Sequence, residues 1–213
     1  MSRDFPGSAG NHLVVTNPVG ALDITGDITV AAWIRPDALS GVQGIVTKEN
    51  GVSFQYTLVT SGAQIIFRSG TPQANGAGSL TTGAWHHVAG TRDATNVRVY
   101  RDGSLDGSAA GGAGLDTSLD FVIGARSASG IPFDGRIAEV AVWNAALTAA
   151  EIAALAKGLS PQMVRRTRLA AHYPLWGNSS AGEPDLSGNG QHLTEIGTVG
   201  VGASPSVGPY VAE

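Results

Sequence analysis

Residues 133–158, FDGRIAEVAVWNAALTAAEIAALAKG, constrain the fold more than any other stretch. A strand-like run over 136–143 is followed almost at once by a short helix signalled at both ends. Thr148 is a good N-cap residue. Glu151 stands three positions on, where its carboxylate can reach back to the Thr148 N–H and complete a capping box. Leu147 and Ile152 occupy the hydrophobic-staple positions on either side of the cap. Gly158 falls at C′, where a left-handed backbone costs glycine little. The spacing predicts a helix over 149–157. Nearly everything else reads as strand and turn, and a β-protein with one short helix directly after a late strand is a restricted architecture.

Strand candidates recur between turn residues at 12–15, 28–34, 44–48, 53–59, 64–69, 85–91, 96–101, 104–109, 120–123 and 136–143. Glycine supplies many of the turns, at 30 of 213 residues, roughly twice the usual share. In 28–34, alternation puts Ile28, Val30, Ala32 and Ile34 on one face and Thr29, Ala31 and Trp33 on the other. Both faces are mostly apolar, as suits a strand inside a stacked pair of sheets. Asp102-Gly103 provides a hairpin turn between 96–101 and 104–109. Short loops without strand–helix–strand alternation predict an all-β antiparallel sandwich, a jelly roll. After the helix, Ser160-Pro161 breaks the chain, 168–175 reads as a further strand ending at Trp176, 177–190 as loop, and 191–194 as a last strand. The expected organisation is one domain over 1–196 and a Gly/Ser/Pro/Val-rich tail over 197–213. That tail is expected to extend along a neighbour or to be loosely ordered.

Composition narrows the function classes. The net charge of −4 argues against binding nucleic acid through its phosphates, which needs a clustered basic surface. The brief cluster Arg165, Arg166 and Arg168 reads as a solvated edge or loop. With no cysteine, disulfides, thiolate metal sites and cysteine nucleophiles are excluded. No apolar signal-peptide core and no membrane-length apolar run is present. The expectation is a protein made in the cytoplasm without a signal peptide and without membrane contact.

Three segments together resemble the laminin-G-like, concanavalin A-like jelly-roll family. Residues 82–103, TGAWHHVAGTRDATNVRVYRDG, are similar to its Trp-His-His-Val-Ala strand, turn, Val-x-Val-Tyr strand and Asp-Gly hairpin. Residues 123–155, IGARSASGIPFDGRIAEVAVWNAALTAAEIAAL, resemble its Phe-x-Gly-x-Ile-x-Glu-Val-x-Val-Trp strand and short helix. Residues 173–194, YPLWGNSSAGEPDLSGNGQHLT, resemble its closing Pro-Leu and Asp-x-Ser-Gly-Asn-Gly segment. The start departs from the family form, with Gly10-Asn11-His12 where an acidic residue is usual. The resemblance implies the sandwich, and functions that range from binding sugars, calcium or proteins to glucan hydrolysis. Stand-alone versions of this length opening Met-Ser-Arg-Asp-Phe also look like proteins of tailed bacteriophages and prophages.

A glucanase on this fold needs two carboxylates facing one groove, which the family carries as Glu-x-Asp-x-Glu on one strand. The counterpart here, 138–142, has Glu139 alone, so no enzyme activity is expected. Glu139 is read as pairing with an arginine or capping a loop. His86 and His87 are adjacent, so a strand points them to opposite faces and they cannot share a metal. His12, His172 and His192 are scattered and read as structural. No Gly-rich phosphate motif precedes a helix, since 111–114 lies between strands. Calcium, which takes oxygen ligands from loops, is the one metal considered, at Asp134 and Asp185; turn closure and an Asx-turn are the competing roles. Trp33, Trp85 and Trp143 are assigned to the core. Trp176, beside a Gly-Asn-Ser loop, is the candidate sugar platform.

Two functions follow. The first is a non-enzymatic bacteriophage virion decoration or accessory protein, which binds a capsid or tail protein as a symmetric homo-oligomer. The alternative is a lectin-like carbohydrate-binding module, with or without calcium.

Overall fold

The computed structural model describes residues 1–18, 20–112, 118–126, 130–177 and 182–205. The part of the expected loop at 178–181, the end of the glycine run at 113–114 and the tail beyond 205 lie outside the described residues. The strands are β1 (Ser2–Pro6), β2 (His12–Val15), β3 (Ile28–Pro36), β4 (Val42–Glu49), β5 (Phe54–Ser61), β6 (Gln64–Arg68), β7 (Gln73–Asn75), β8 (His86–Arg92) and β9 (Asn96–Arg101). They continue as β10 (Ser104–Ala110), β11 (Phe121–Ile123), β12 (Ala125–Arg126), β13 (Ile131–Pro132), β14 (Asp134–Trp143), β15 (Leu169–Tyr173), β16 (Gly182–Glu183), β17 (Leu193–Ile196) and β18 (Gly200–Gly202). The helix α1 (Ala149–Ala156) follows β14.

Among the described residues, the first sheet runs β10-β9-β8-β3-β14-β1-β18, with β15 also paired to β14. The second runs β16-β17-β2-β11-β4-β5-β6-β7, and β12 and β13 form a separate ribbon. The pairings are antiparallel, as a jelly roll requires. Alternation in β3 sends Ile28, Val30, Ala32 and Ile34 between the sheets, where they meet Val88, Ile137, Val140 and Val142 of the first sheet. From the second come Leu13, Ile45, Tyr56, Leu58, Phe67 and Phe121. Gly90 lets the sheets approach, because a Cβ there would stand 2.0 Å from the Phe67 ring.

The opposite face of the first sheet is also apolar, and α1 covers part of it. Ala31, Ala89, Tyr100, Ala141 and Trp143 form a second buried cluster with Ile152 and Leu155 of the helix. Trp143 is fully buried, and its indole Nε1–H donates to the Val164 carbonyl at 2.8 Å, so burial leaves no orphan donor. The capping box is as the sequence predicts: Thr148 N–H donates to Glu151 Oε2 at 2.7 Å and Glu151 N–H to Thr148 Oγ1 at 3.3 Å. Gly158 has φ +92°. Arg165 is exposed and its Nε donates to Glu151 Oε1 at 2.7 Å. No helix among the described residues is long and apolar enough to cross a membrane.

Three differences from the sequence reading have physical causes. β1, over SRDFP, pairs with β14 and β18 although its composition lacks a strand pattern. Its partners supply the ladder that propensity does not. Residues 200–202, expected in the tail, form the edge strand β18 against β1. Last, the alternation of β14 is broken. Its register against β3 shifts between Ala138 and Ala141, and Glu139 sits in the shift with φ +49°. One extra residue in a strand turns every later side chain to the other face. Without it, Val140 and Val142 would leave the core and Trp143 would enter it.

Candidate functional site

The outer face of the first sheet has an uncovered half beside α1, and a cavity of about 400 Å³ opens there. Its floor is Ala31, Trp33, His87, Ala138, Glu139 and His172, and its walls include Leu159, Gln162, Pro174 and Trp176. Met1, Ser204 and Pro205 close one rim, where the Met1 amine donates to Ser204 Oγ.

Each floor residue arrives by a different route. β3 and β8 are in register at Trp33 and His87, so the two rings meet edge-on with centroids 5.4 Å apart. Burial pushes the His87 imidazole down to about 4 against the opposing pull of Asp102, so the ring is neutral at neutral pH. The bulge delivers Glu139. Two strands share one edge of β14: β1 pairs with it at 134–137 and β15 at 140–143. Glu139 lies in the gap between them, its N–H donating to the Pro174 carbonyl at 3.3 Å. The left-handed backbone turns its side chain to the outer face next to Ala138, a strained conformation of the kind that clusters at functional sites. There Glu139 Oε2 lies 3.0 Å from His172 Nε2, with the carboxylate side chain 34% exposed and the imidazole 4% exposed. The sequence reading paired Glu139 with an arginine or a loop; the bulge gives it a histidine from β15 instead.

The Asp-Leu-Ser-Gly-Asn-Gly segment braces this edge. Asp185 Oδ1 accepts from the His172 N–H at 3.0 Å and the Ser187 N–H at 2.9 Å. Its Oδ2 accepts from Ser187 Oγ at 2.8 Å and the Gln191 N–H at 3.1 Å. The Ser187 N–H bond is an Asx-turn, and the loop and the β15 N–H together take up four acceptor positions of the carboxylate. Asp134 is the first residue of β14, with its N–H on Gln43 Oε1 and its carbonyl accepting from Asp37. The structure therefore sets Asp134 and Asp185 apart: one starts β14, and the other holds the strand paired to its far end. Among the described residues, no three His, Asp or Glu side chains group as a metal site.

Trp176 stands at the cavity mouth, 38% exposed. Of the tryptophans assigned to the core, only Trp143 is there. Trp33 and Trp85 are half-buried, Trp33 because α1 stops short of it. His86 and His87 do point to opposite faces: His86 Nδ1 lies 3.0 Å from Asp102 Oδ2, away from the cavity. Sequence reasoning missed Trp33, His87 and His172 as neighbours of Glu139. One signal was present: the core residues Ile137 and Val140 are three apart where a regular strand allows two, which marks a bulge at 138–139.

The arrangement offers aromatic surface at the floor and mouth, a carboxylate acceptor fixed by a histidine, and no second carboxylate among the lining residues. Such a set of groups can hold a polyhydroxylated, partly apolar ring.

Comparison with known proteins agrees in fold. The family described as the concanavalin A-like lectin/glucanases superfamily matches residues 7–153. Comparison with curated protein sequences finds no match. Among solved structures, a Bacteroides ovatus protein whose proposed role is carbohydrate binding superposes with TM-score 0.76 at 23% identity over 97% of this chain. The chain spans 61% of that protein's length. A module of the Ruminococcus gnavus IT-sialidase, solved with α2,3-sialyllactose bound, gives TM-score 0.60 at 14% identity, covering 73% of this chain and 98% of its own. The heptameric SAP-like pentraxin of Limulus polyphemus gives 0.57 at 16% identity, covering 97% of this chain and 95% of its own. At these identities the likeness is one of fold.

Proposed function

Because the chain belongs to the concanavalin A-like lectin/glucanase superfamily, we propose that it is a non-catalytic, lectin-like carbohydrate-binding protein whose site is the uncovered half of the first sheet's outer face. The observation that carries this reading is the cavity itself: Trp33 at its floor, Trp176 at its mouth, and Glu139 between them with its outer oxygen open to a ligand. An indole face matches the apolar face of a pyranose, and a fixed carboxylate accepts from its hydroxyls. Two of the structural neighbours support the class, one by its proposed role and one by its bound sialyllactose. Glycoside hydrolysis calls for a carboxylate pair, and the cavity presents Glu139 alone among the described lining residues.

This reverses the order of preference drawn from the sequence, where a virion decoration role stood first and glycan binding second. Calcium has no part in the reading, since Asp185 spends its acceptors on its own loop and on the His172 N–H of β15. A glycan array probed in calcium and again in chelator tests it. We expect specific binding that is equal in both conditions and lost in Trp176→Ala. An array blank for the parent protein would overturn the reading.

A further inference from the structure

Glu183 is a buried carboxylate that the binding reading leaves unused, yet it is bonded to the turn that carries Trp176. Its Oε1 accepts from the Gly177 N–H at 2.7 Å and from Arg3 Nη1 at 3.4 Å. The Trp176 N–H bonds the same carboxylate. The Glu183 side chain is 1% exposed and that of Arg3 2%. Arg3 also pairs with Glu195, whose Oε1 accepts from the Val199 N–H at 2.9 Å. On the other side, a Cβ on Gly177 would stand 2.5 Å from Val201, so β18 closes against the turn. Leu175 and Gly177 flank Trp176 with φ +62° and +67°. Two left-handed residues around one side chain interrupt any strand ladder, so the N–H groups between them need acceptors from elsewhere.

We propose that Glu183 is the positioning residue of the Trp176 platform: its carboxylate accepts the N–H groups of the 176–177 turn, and Arg3 holds that carboxylate in place. The proposal rests on the glycan reading only for the use made of Trp176. Burial pushes the Glu183 carboxyl up, against the pull of the Gly177 N–H, Arg3 and the Trp176 N–H. An ionised group kept in so dry a place must satisfy its acceptors locally, and the turn is what satisfies them.

Two near-isosteric variants test this. Glu183→Gln keeps a carbonyl acceptor at the same reach without the charge. Glu183→Asp keeps the charge but withdraws the acceptor by one methylene. The Trp176 signal is the difference between each protein and its Trp176→Phe counterpart, with far-ultraviolet circular dichroism confirming the fold. We expect Glu183→Gln to give the parent's emission maximum and acrylamide quenching. Glu183→Asp should shift Trp176 emission to the red and steepen its quenching. The reverse pattern would assign the effect to charge balance with Arg3, and identical spectra in all three would separate Trp176 from Glu183; either overturns the proposal. The readout needs no glycan, so a blank array would end the binding reading and leave this one standing. Parent-level glycan affinity in a Glu183→Asp protein with a red-shifted Trp176 would instead remove Trp176 as the platform.

Discussion

The outer face of the first sheet has two halves built on the same strands. On one half α1 packs over β8 and β10, and its Ile152 and Leu155 share a cluster with Trp143, which is fully buried with its N–H satisfied. On the other, a few residues along the same strands, Trp33 and Trp176 border an open cavity. The two halves differ in how they are assembled. The cover of the first half is specified by a contiguous stretch in which strand, capping box and staple follow one another. The open half draws on pieces of chain from Met1 to Pro205 and depends on a bulge that places Glu139 where a regular strand would have an inward residue. A covered tryptophan holds the fold together, and an uncovered one beside a strained carboxylate is available for binding.

The largest expected effect tests that division. Trp143→Ala should destabilise the protein by about 3–5 kcal/mol, because it empties a fully buried aromatic site, as read by urea denaturation. Trp176→Ala should change stability by about 0.5 kcal/mol or less. Equal losses from the two would erase the distinction between the halves. Next in size is binding. Trp176→Ala should weaken affinity for an array-positive glycan by about 2 kcal/mol, roughly thirtyfold, the scale of an aromatic hot spot. Isothermal titration calorimetry measures it, and Trp85→Phe, which lies outside the cavity, serves as the control that should bind as the parent does.

Removing the helix cap is a smaller perturbation. Thr148→Ala should cost about 1 kcal/mol in a chemical melt while leaving glycan affinity unchanged, since the capping box serves the covered half alone. The smallest effects are in pH dependence, where the halves should differ in sign. Burial raises the Glu151 carboxyl, but the bonds from Arg165 and Thr148 outweigh it and leave the group below its ordinary value. Its contribution is therefore present above the ordinary carboxylate pKa and lost as pH falls through the folded value. The stability penalty of Glu151→Gln should shrink on acidification. Glu183 is shifted upward by burial, so the folded state takes up its proton first and gains stability as pH falls through that raised value. Glu183→Gln should compare most favourably with the parent at neutral pH, and the gap should close in acid. Melting temperatures at a series of pH values read both.

The legibility of the sequence follows the same line. The helix, its caps, the Asp102-Gly103 hairpin and most strands are local signals, encoded within a few residues, and the structure has them near the predicted positions. β1 and β18 were not legible because their pairing comes from partners roughly two hundred residues apart in the chain, and propensity carries no record of that. Trp176 was legible as an exposed aromatic because an aromatic beside a loop is a local pattern. The Glu139–His172 pair was not, since it requires knowing that β15 takes up the edge of β14 where β1 leaves off. Trp33 was assigned to the core because a large aromatic in a strong strand signal usually packs there, and how far a helix covers that face is not a local signal.

The four indole N–H signals of the protein offer the most direct test of the central claim, that the uncovered half is the binding surface. Titrating an array-positive glycan into isotopically labelled protein should move the Trp33 and Trp176 indole resonances and leave that of Trp85, which lies outside the cavity, in place. Shifts confined to Trp85, or four unmoved indoles at saturating glycan, would contradict it.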